Sequence, residues 1–254
     1  MSKDYENAQS QALSDLKSAI EKSNRIVVLT GAGASVPSGI PDFRSSHGLY
    51  STPFGKYPAE TVVSHDFFMM HPSEFYDFYK TKMVYPNAKP NAMHILLAKL
   101  ENKGKIEGIV TQNIDGLHQA AGSKHVYELH GSVWRNRCER CRKFFDLNYV
   151  VTHEGVPHCD ACGAIIKPEV VLYGENLDER VLRGAIHAIQ RADMLIVIGT
   201  SLVVYPAAGL LGYFGGEITA VVNKSSTYFD TQADILINDD CRTVAEWLDT
   251  NLNL

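Results

Sequence analysis

The sequence has neither a long apolar run nor an excess of basic residues. Without a continuous apolar stretch, we expect no transmembrane span and no secretory signal in its 254 residues. The 24 Lys and Arg residues are outnumbered by 29 Asp and Glu residues, which leaves a net charge of -5. A mildly acidic chain lacks the basic surface that binding to nucleic-acid phosphates requires. We therefore predict a cytoplasmic protein with no nucleic-acid or membrane partner.

Cysteine is scarce, with 5 residues, yet four of them form two matched pairs. Cys138 and Cys141 make one CxxC motif, and after 17 residues Cys159 and Cys162 make a second. In a cytosolic chain this spacing is typical of a four-thiolate zinc ribbon, whose filled coordination leaves no position for a reacting water. We predict one structural Zn²⁺ per chain. A pair of redox dithiols and a nucleic-acid zinc knuckle are the alternatives.

Internal repeats and low-complexity tracts are also absent, and apolar runs alternate with helical patterns. Short runs rich in β-branched residues predict strands at residues 26–29, 106–111, 126–129, 194–199, 218–222 and 234–237. Helical spacing predicts helices at residues 91–102, 177–191 and 242–252, and an amphipathic helix with Leu13, Leu16 and Ile20 on one face near the N-terminus. This alternation implies an α/β fold with a Rossmann-like, doubly wound parallel sheet.

Two insertions interrupt the alternation and define the expected domain organisation. The aromatic-rich insertion, at about 38–90, is expected to form a helical cap over a cofactor. The cysteine-bearing insertion, at about 133–167, is expected to form the zinc ribbon. We predict that residues 1–254 form a single catalytic unit, whose Rossmann-like large domain comprises about 8–37, 91–132 and 168–254.

The first predicted strand ends in a loop that matches half of a dinucleotide-binding fingerprint. Gly31 and Gly33 follow the strand at once, which suits a tight turn and lets backbone N–H groups approach a pyrophosphate. The third glycine of the fingerprint is missing because Val36 occupies its position, and no acidic residue near position 51 can hold a ribose. The polar segment continues through Phe43 and Arg44. This combination favours a nucleotide site that differs from that of an ordinary dehydrogenase.

Polar side chains follow several of the other predicted strands. Asn113 and Asp115 follow the second strand, where the carboxyl edge of a parallel sheet binds ligands. His130 follows the third strand and has the location of a general base, whereas His118 has the pattern of a helix-surface or capping residue. Small and polar residues after two later strands are suited to bind a phosphate or ribose; they are Gly199, Thr200, Ser201 and Asn223.

Together these motifs resemble those of the sirtuins, a family of NAD-dependent protein-lysine deacylases. GAGAS at residues 31–35, GIPDFR at 39–44, TQNIDGLH at 111–118 and ELHG at 128–131 appear in the family's order. The resemblance implies that NAD is a consumed co-substrate, that His130 is the catalytic base and that Asn113 assists catalysis. It also implies NAD contacts by Gly31, Ala32, Gly33, Val36, Phe43, Arg44, Gln112, Asn113, Ile114, Asp115, His130, Gly199, Thr200, Ser201, Asn223, Lys224 and Cys241.

The resemblance places the second substrate, an acetylated lysine of a protein, beside the segment KPEVVLYGE at residues 167–175. An acetylated peptide is expected to add there as a strand. The contacts implied for it are Val170, Val171, Tyr173, Gly174 and Glu175. Tyr173 stands where the family usually has Phe, and Val36 where many members have Thr or Glu.

The expected acyl group is neutral. Sirtuins that prefer acidic acyl groups have a Tyr-x-x-Arg pair, and the corresponding residues here are taken to be Tyr76 and Tyr79. Without the arginine, an acidic acyl group would have no cationic partner in a mostly apolar channel.

We therefore predict a monomeric deacetylase that transfers acetyl from lysine to ADP-ribose and releases nicotinamide and O-acetyl-ADP-ribose. The first alternative is a protein mono-ADP-ribosyltransferase on the same scaffold, which would release nicotinamide without an acylated lysine. A zinc-ribbon nucleic-acid module joined to a nucleotide sensor and a hydride-transferring oxidoreductase are further alternatives.

Overall fold

The computed structural model describes residues 3–46 and 48–253, with side chains from residue 8 onward. Within these residues the strands are β1 (Ile26–Thr30), β2 (Ile106–Thr111), β3 (Val126–Glu128), β4 (Gly131–Cys138), β5 (Phe144–Phe145), β6 (Ile166–Val170), β7 (Met194–Ile198), β8 (Ile218–Val222) and β9 (Ile235–Ile237). Six of them form a parallel sheet in the order β3-β2-β1-β7-β8-β9. The predicted doubly wound parallel sheet is confirmed, and each of its predicted strands is present to within one residue at either end.

Helices connect the strands of the parallel sheet. The α-helices of the described chain are α1 (Lys3–Lys22), α2 (Ala59–Val62), α3 (His65–Met70), α4 (Pro72–Phe78), α5 (Ala92–Asn102), α6 (Leu117–Ala120), α7 (Leu147–Thr152), α8 (Glu179–Arg191) and α9 (Cys241–Asn251). Asn91, Asp178 and Asp240 cap the N-termini of α5, α8 and α9, where their side chains accept hydrogen bonds from backbone N–H groups. Among the described helices, none combines the length and apolar character that a membrane span needs.

The alternation of side chains along β1 divides the core between the two faces of the sheet. Ile26 and Val28 pack with residues of α1, α5 and α9 on one face. Val27 and Leu29 pack with residues of α8 and of the 3₁₀-helix Ala207–Tyr213 on the other. Because successive strand residues point to opposite faces, a continuous apolar run is what a strand covered on both sides requires.

A second core joins the two insertions. β5, β4 and β6 form a small antiparallel sheet in that order. Its apolar side packs against the aromatic residues of α3, α4 and the π-helical turn Tyr79–Met83 in one cluster. The aromatic-rich insertion and the cysteine-bearing insertion therefore stabilise each other instead of packing separately on the large sheet.

The strand order places a binding crevice at the centre of the parallel sheet. From β1 the chain adds β2 and β3 on one side, and it later returns to place β7 directly on the other side of β1. Loops that leave β1 and β7 in opposite directions open a crevice at their carboxyl ends, which is where open α/β sheets bind ligands. The glycine loop after Thr30 and the Gly199 to Ser201 segment both lie at this position.

Candidate active site

A cleft of about 540 Å³ follows the carboxyl edge of the parallel sheet and extends toward the second core. It brings together residues from the loops after β1, β2, β3, β7 and β8 and from the segment after β6. All the predicted NAD contacts lie in the described part of the chain, and of these only Asp115 is absent from the lining. The predicted peptide contacts, residues 170, 171 and 173–175, line the same cleft.

The loops after β1 and β7 pack against each other through glycines. The Gly33 N–H donates to the Gly199 carbonyl at 2.8 Å, and the Gly31 N–H donates to the Ile198 carbonyl at 3.0 Å. A Cβ on Gly33 would lie 2.7 Å from the Cα of Gly199, which itself has a φ of 60°. The contact between the two loops therefore requires glycine at these positions. This requirement is additional to the one predicted from the sequence, which was close approach of the backbone to a pyrophosphate.

Asn113 connects the loop after β2 to the loop after β1. Its Nδ2 donates to the Gly31 carbonyl at 3.0 Å and to Ser35 Oγ at 3.1 Å. Ser35 in turn donates to a carboxylate oxygen of Asp115 at 2.7 Å, and the Leu117 N–H donates to the other at 2.8 Å. Burial raises the pKa of Asp115. Asp115 therefore lies behind Asn113, and its role toward the nicotinamide carboxamide stays a prediction.

The hydrogen bonds of His130 determine which of its nitrogens can act as a base. Nδ1 lies 3.0 Å from the Gln112 carbonyl oxygen. A carbonyl oxygen only accepts, so Nδ1 carries the proton and Nε2 of the neutral ring keeps a free lone pair. Burial lowers the pKa of His130, and the bond to Gln112 opposes this shift. The ring is therefore neutral at pH 7 and able to accept a proton.

The far end of the cleft is formed by the loop after β8 and the start of α9. Asn223 Nδ2 donates to the Ser225 carbonyl at 2.6 Å, and Lys224 forms an ion pair with Asp240 at 2.8 Å. The Cys241 Sγ lies 3.7 Å from the Gly33 carbonyl oxygen. Burial raises the pKa of this thiol to about 12, so Cys241 is a neutral, apolar part of the lining at pH 7.

The segment after β6 forms the opposite wall, beside His130. The Val171 N–H donates to the His130 carbonyl at 2.9 Å. Glu175 binds Lys167 Nζ at 3.0 Å and accepts the Leu172 N–H at 2.9 Å. These bonds hold the backbone of residues 170–175 against the base. A peptide that paired with this segment would bring its side chains into the same cleft.

The four paired cysteines converge at the end of the small sheet, away from the cleft lining. Their sulfur atoms all lie within 4.8 Å of one another, and the Cys138–Cys162 and Cys141–Cys159 sulfurs are 3.3 and 3.6 Å apart. Four sulfurs at about 2.3 Å from a tetrahedral zinc would be about 3.8 Å apart. The donor set and spacing fit a closed, structural Zn²⁺ site. We therefore expect zinc to stabilise the fold and to take no part in chemistry.

Comparisons with known proteins agree with this geometry. The family model described as Sir2 family matches residues 31–206. An NAD-dependent protein deacetylase of Clostridium perfringens is 57% identical over 229 residues, covering 89% of this chain and 94% of that protein. Another from Clostridium acetobutylicum is 53% identical over 236 residues, covering 92% and 96%. The chain belongs to the Sir2 family, the sirtuins.

Solved structures support the same assignment of this sirtuin. A Sir2 variant bound to a deacetylated p53 peptide and 3'-O-acetyl ADP ribose superimposes with a TM-score of 0.85 at 45% identity, covering 92% of this chain and 96% of that one. A Sir2 complex with a p53 peptide and NAD⁺ has a TM-score of 0.83 at 43% identity, with 94% and 97% covered. These superpositions cover nearly the whole chain, so they include both the parallel sheet and the second core that joins the two insertions.

The prediction for His118 in this sirtuin was wrong. Instead of lying on a helix surface, its side chain is only 1% exposed and its Nε2 lies 3.0 Å from Thr30 Oγ1. The centroid of its ring lies 4.7 Å from that of His94, which is also buried, and the two rings are tilted by 56°. Burial lowers the pKa of His94 to about 4 and that of His118 well below its ordinary value. Helix α6 is too short for its pattern to distinguish a buried face from an exposed one.

Tyr76 and Tyr79, the residues compared with an acyl-binding pair, do not line the cleft. Both side chains are fully buried in the second core of this sirtuin, and the Tyr76 hydroxyl donates to the Ile166 carbonyl. The preference for a neutral acyl group stays a prediction.

Ser35 and Tyr50 are among the residues of the site that were missed at the sequence level. Ser35 connects Asn113 to Asp115, and Tyr50 lines the cleft beside Arg44. The hydroxyl of Ser35 lies within the GAGAS motif and could have been singled out there. Tyr50 is one of 12 tyrosines and carries no local signal.

Proposed function

We infer that this sirtuin is an NAD-dependent protein-lysine deacetylase. The observation that carries the inference is a single cleft in which His130 lies between the glycine loops and the segment at residues 170–175. One wall offers the backbone groups and small residues that a dinucleotide needs, and the other offers a strand edge for a peptide. The fixed protonation of His130 supplies a base where the two substrates would meet.

The chemistry that this arrangement supports begins when the acetyl oxygen of the substrate lysine attacks the anomeric carbon of the nicotinamide ribose. The carbon–nitrogen bond to nicotinamide breaks as the new carbon–oxygen bond forms. The acetyl group is then an imidate, bonded through its oxygen to the ribose. His130 Nε2 accepts a proton from a ribose hydroxyl, and the resulting oxygen attacks the former carbonyl carbon of the imidate. Addition of water completes the transfer, so the products are free lysine, nicotinamide and O-acetyl-ADP-ribose.

Asn113 is the second residue that we propose to assist this reaction. Its Nδ2 already donates to both the Gly31 carbonyl and Ser35, so its amide plane is fixed before any ligand binds. A preorganised amide needs little reorganisation when charge develops on the ribose. We propose that Asn113 orients the nicotinamide end, whereas His130 moves the proton.

The proposed second substrate is an acetylated lysine in a protein, and no nucleic acid is proposed as a partner. Basic residues near the cysteines are paired with carboxylates, including Arg137 with Glu169 at 2.6 Å and Lys143 with Asp160 at 2.6 Å. Together with the net charge of -5, this pairing supports the proposal that no nucleic acid is bound. The monomeric state and the cytoplasmic location stay predictions.

The test is nicotinamide release from NAD by the purified protein, with an acetyl-lysine peptide and with the same peptide unmodified. We expect release only with the acetylated peptide, and we expect His130→Ala to reduce it by about 10²- to 10⁴-fold while NAD still binds. Equal release with both peptides would contradict the proposal and would favour the ADP-ribosyltransferase, an alternative that the relatives do not favour.

A further inference from the structure

Tyr173 lies between the two halves of the proposed site. Its backbone is fixed, because its N–H donates to the Val63 carbonyl at 3.0 Å and its carbonyl accepts the His65 N–H at 2.9 Å. It belongs to the segment that the proposed peptide would pair with, two residues after Val171. Its side chain is 43% exposed and lines the cleft.

The hydroxyl of Tyr173 contacts residues from the NAD side of the cleft. Arg44 Nη2 donates to it at 3.3 Å, and the Tyr50 hydroxyl donates to it at 3.5 Å. The Arg44 guanidinium also lies 5.7 Å from the centroid of the Tyr50 ring, within range of a cation–π interaction. A phenylalanine at position 173, which the family usually has, would leave Arg44 without this acceptor.

The Tyr173 hydroxyl acts toward Arg44 as an acceptor. A phenol oxygen has two lone pairs, and Arg44 and Tyr50 both donate to it. The bond to Tyr173 engages Nη2 of Arg44 and leaves the other N–H groups of the guanidinium for an anionic phosphate oxygen.

We propose that Tyr173 is a positioning residue that holds Arg44 for the pyrophosphate of NAD and so couples the binding of NAD to the binding of the acetylated peptide. The proposal rests on the proposed function. The backbone of Tyr173 is already fixed, but its partly exposed side chain would be restricted by a peptide that lay against residues 170–175. The ordered hydroxyl would favour the bound position of Arg44, and by linkage each substrate would then raise the affinity for the other by the same factor.

The probe is ADP-ribose, which contains the pyrophosphate but has no nicotinamide to lose, so it binds without turnover. Titration calorimetry is carried out with and without an acetyl-lysine peptide. We expect Tyr173→Phe to weaken ADP-ribose binding by about three- to tenfold. This is the effect expected when the partly exposed, charge-assisted hydrogen bond from Arg44 to the Tyr173 hydroxyl is lost. We also expect the peptide to tighten ADP-ribose binding in the wild type more than in Tyr173→Phe.

A double-mutant cycle distinguishes positioning from an independent contact. If Tyr173 acts through Arg44, then Tyr173→Phe adds less than about twofold to the effect of Arg44→Ala. The matched control is Tyr213→Phe, because Tyr213 is exposed and lies outside the cleft lining. This control should bind ADP-ribose like the wild type.

Any of three results would overturn the proposal. An unchanged ADP-ribose affinity in Tyr173→Phe, or an equal loss whether or not Arg44 is present, would remove the positioning role. An equal effect of the peptide on ADP-ribose affinity in the wild type and in Tyr173→Phe would remove the coupling. A wild-type protein that binds no ADP-ribose would remove the proposed function as well. Wild-type binding with an unaffected Tyr173→Phe would remove only the positioning role, so the two failures are distinguishable.

Discussion

At the scale of single residues, the chemistry of the site depends on which atoms of His130 are already engaged. The Gln112 carbonyl accepts the Nδ1 proton, and Gln112 Nε2 donates to Thr200 Oγ1 at 3.0 Å. The orientation of the base is thus connected to the loop after β7, on the NAD side of the cleft. A ring held in one tautomer does not have to reorganise when it accepts a proton.

The pKa of His130 leads to a prediction about pH. Because burial lowers this pKa below its ordinary value, the free enzyme should hold His130 neutral at pH 7 and protonate it only in more acidic solution. We expect kcat/KM to be highest near neutral pH and to fall in acid, with a midpoint below the ordinary histidine pKa of about 6.5. The measurement is kcat/KM for the acetylated peptide between pH 5 and 8. A midpoint above 7 would contradict the assignment of His130.

The buried pair of His94 and His118 predicts loss of stability in acid. Both pKa values are lowered in the fold, so above about pH 6.5 both rings are neutral in the folded and unfolded chains alike. As the pH falls, the unfolded chain takes up protons that the folded chain excludes. Protonation of His94 in the unfolded chain should therefore lower the free energy of unfolding by about 2 kcal/mol between pH 7 and pH 5, and His118 should change it in the same direction.

His94→Gln tests this prediction with little change to the helix. The His94 Nδ1 accepts the Asn91 N–H at the start of α5, and glutamine at this position also completes a capping box. Denaturant unfolding at pH 7 and pH 5 should show a loss that is smaller in His94→Gln by about 2 kcal/mol. The exposed His187 supplies the control, since His187→Gln should follow the wild type. An equal loss in all three proteins would refute the account.

At the scale of structural elements, the contact between the loops after β1 and β7 leaves no room for a side chain on its glycines. A Cβ on Gly199 would lie 2.5 Å from the Gly33 carbonyl carbon, and φ at Gly199 is 60°. We expect Gly199→Ala to reduce the free energy of unfolding by about 3 kcal/mol, from overpacking and an unfavourable backbone conformation. NAD affinity should fall as well, because both loops line the cleft.

The matched control for this substitution is Gly212→Ala. Apart from its chain neighbours and the backbone of its own helix, no heavy atom lies within 4 Å of the Cβ position at Gly212, which is in the 3₁₀-helix Ala207–Tyr213. Thermal or denaturant unfolding should show a change of less than about 1 kcal/mol for this control. Similar losses in the two variants would mean that the contact between the loops is not the cause.

The stability of the second core depends on the four paired cysteines. Cys138 and Cys159 are buried members of the cluster that joins the small sheet to α3 and α4. We expect Cys138→Ser to lose its zinc. Because metal binding is coupled to folding, its free energy of unfolding should be lower than that of the wild type by at least about 3 kcal/mol. Metal analysis and thermal unfolding check this, and Cys241→Ser should keep one zinc per chain. A zinc-free Cys138→Ser protein with wild-type stability would contradict the structural role.

At the scale of the whole molecule, the sequence determined the large sheet well because its signals are local. β-branched runs, helical spacing and the CxxC motifs each report on a few neighbouring residues. What could not be predicted depends on contacts between distant residues. His118 is buried because Thr30 lies beside it, and Gly33 is required because Gly199 returns to it. The division into a large domain and two insertions stays a prediction, although the insertions share one core.

The central claim is that the acetyl group of the substrate lysine moves onto ADP-ribose in this cleft. The most direct measurement is mass spectrometry of the products formed from NAD and an acetyl-lysine peptide, with a reaction lacking peptide as the control. We expect free nicotinamide, deacetylated peptide and O-acetyl-ADP-ribose in equal amounts, all absent from the control. Nicotinamide accompanied by ADP-ribose attached to protein, with the acetyl group still on the peptide, would contradict the account.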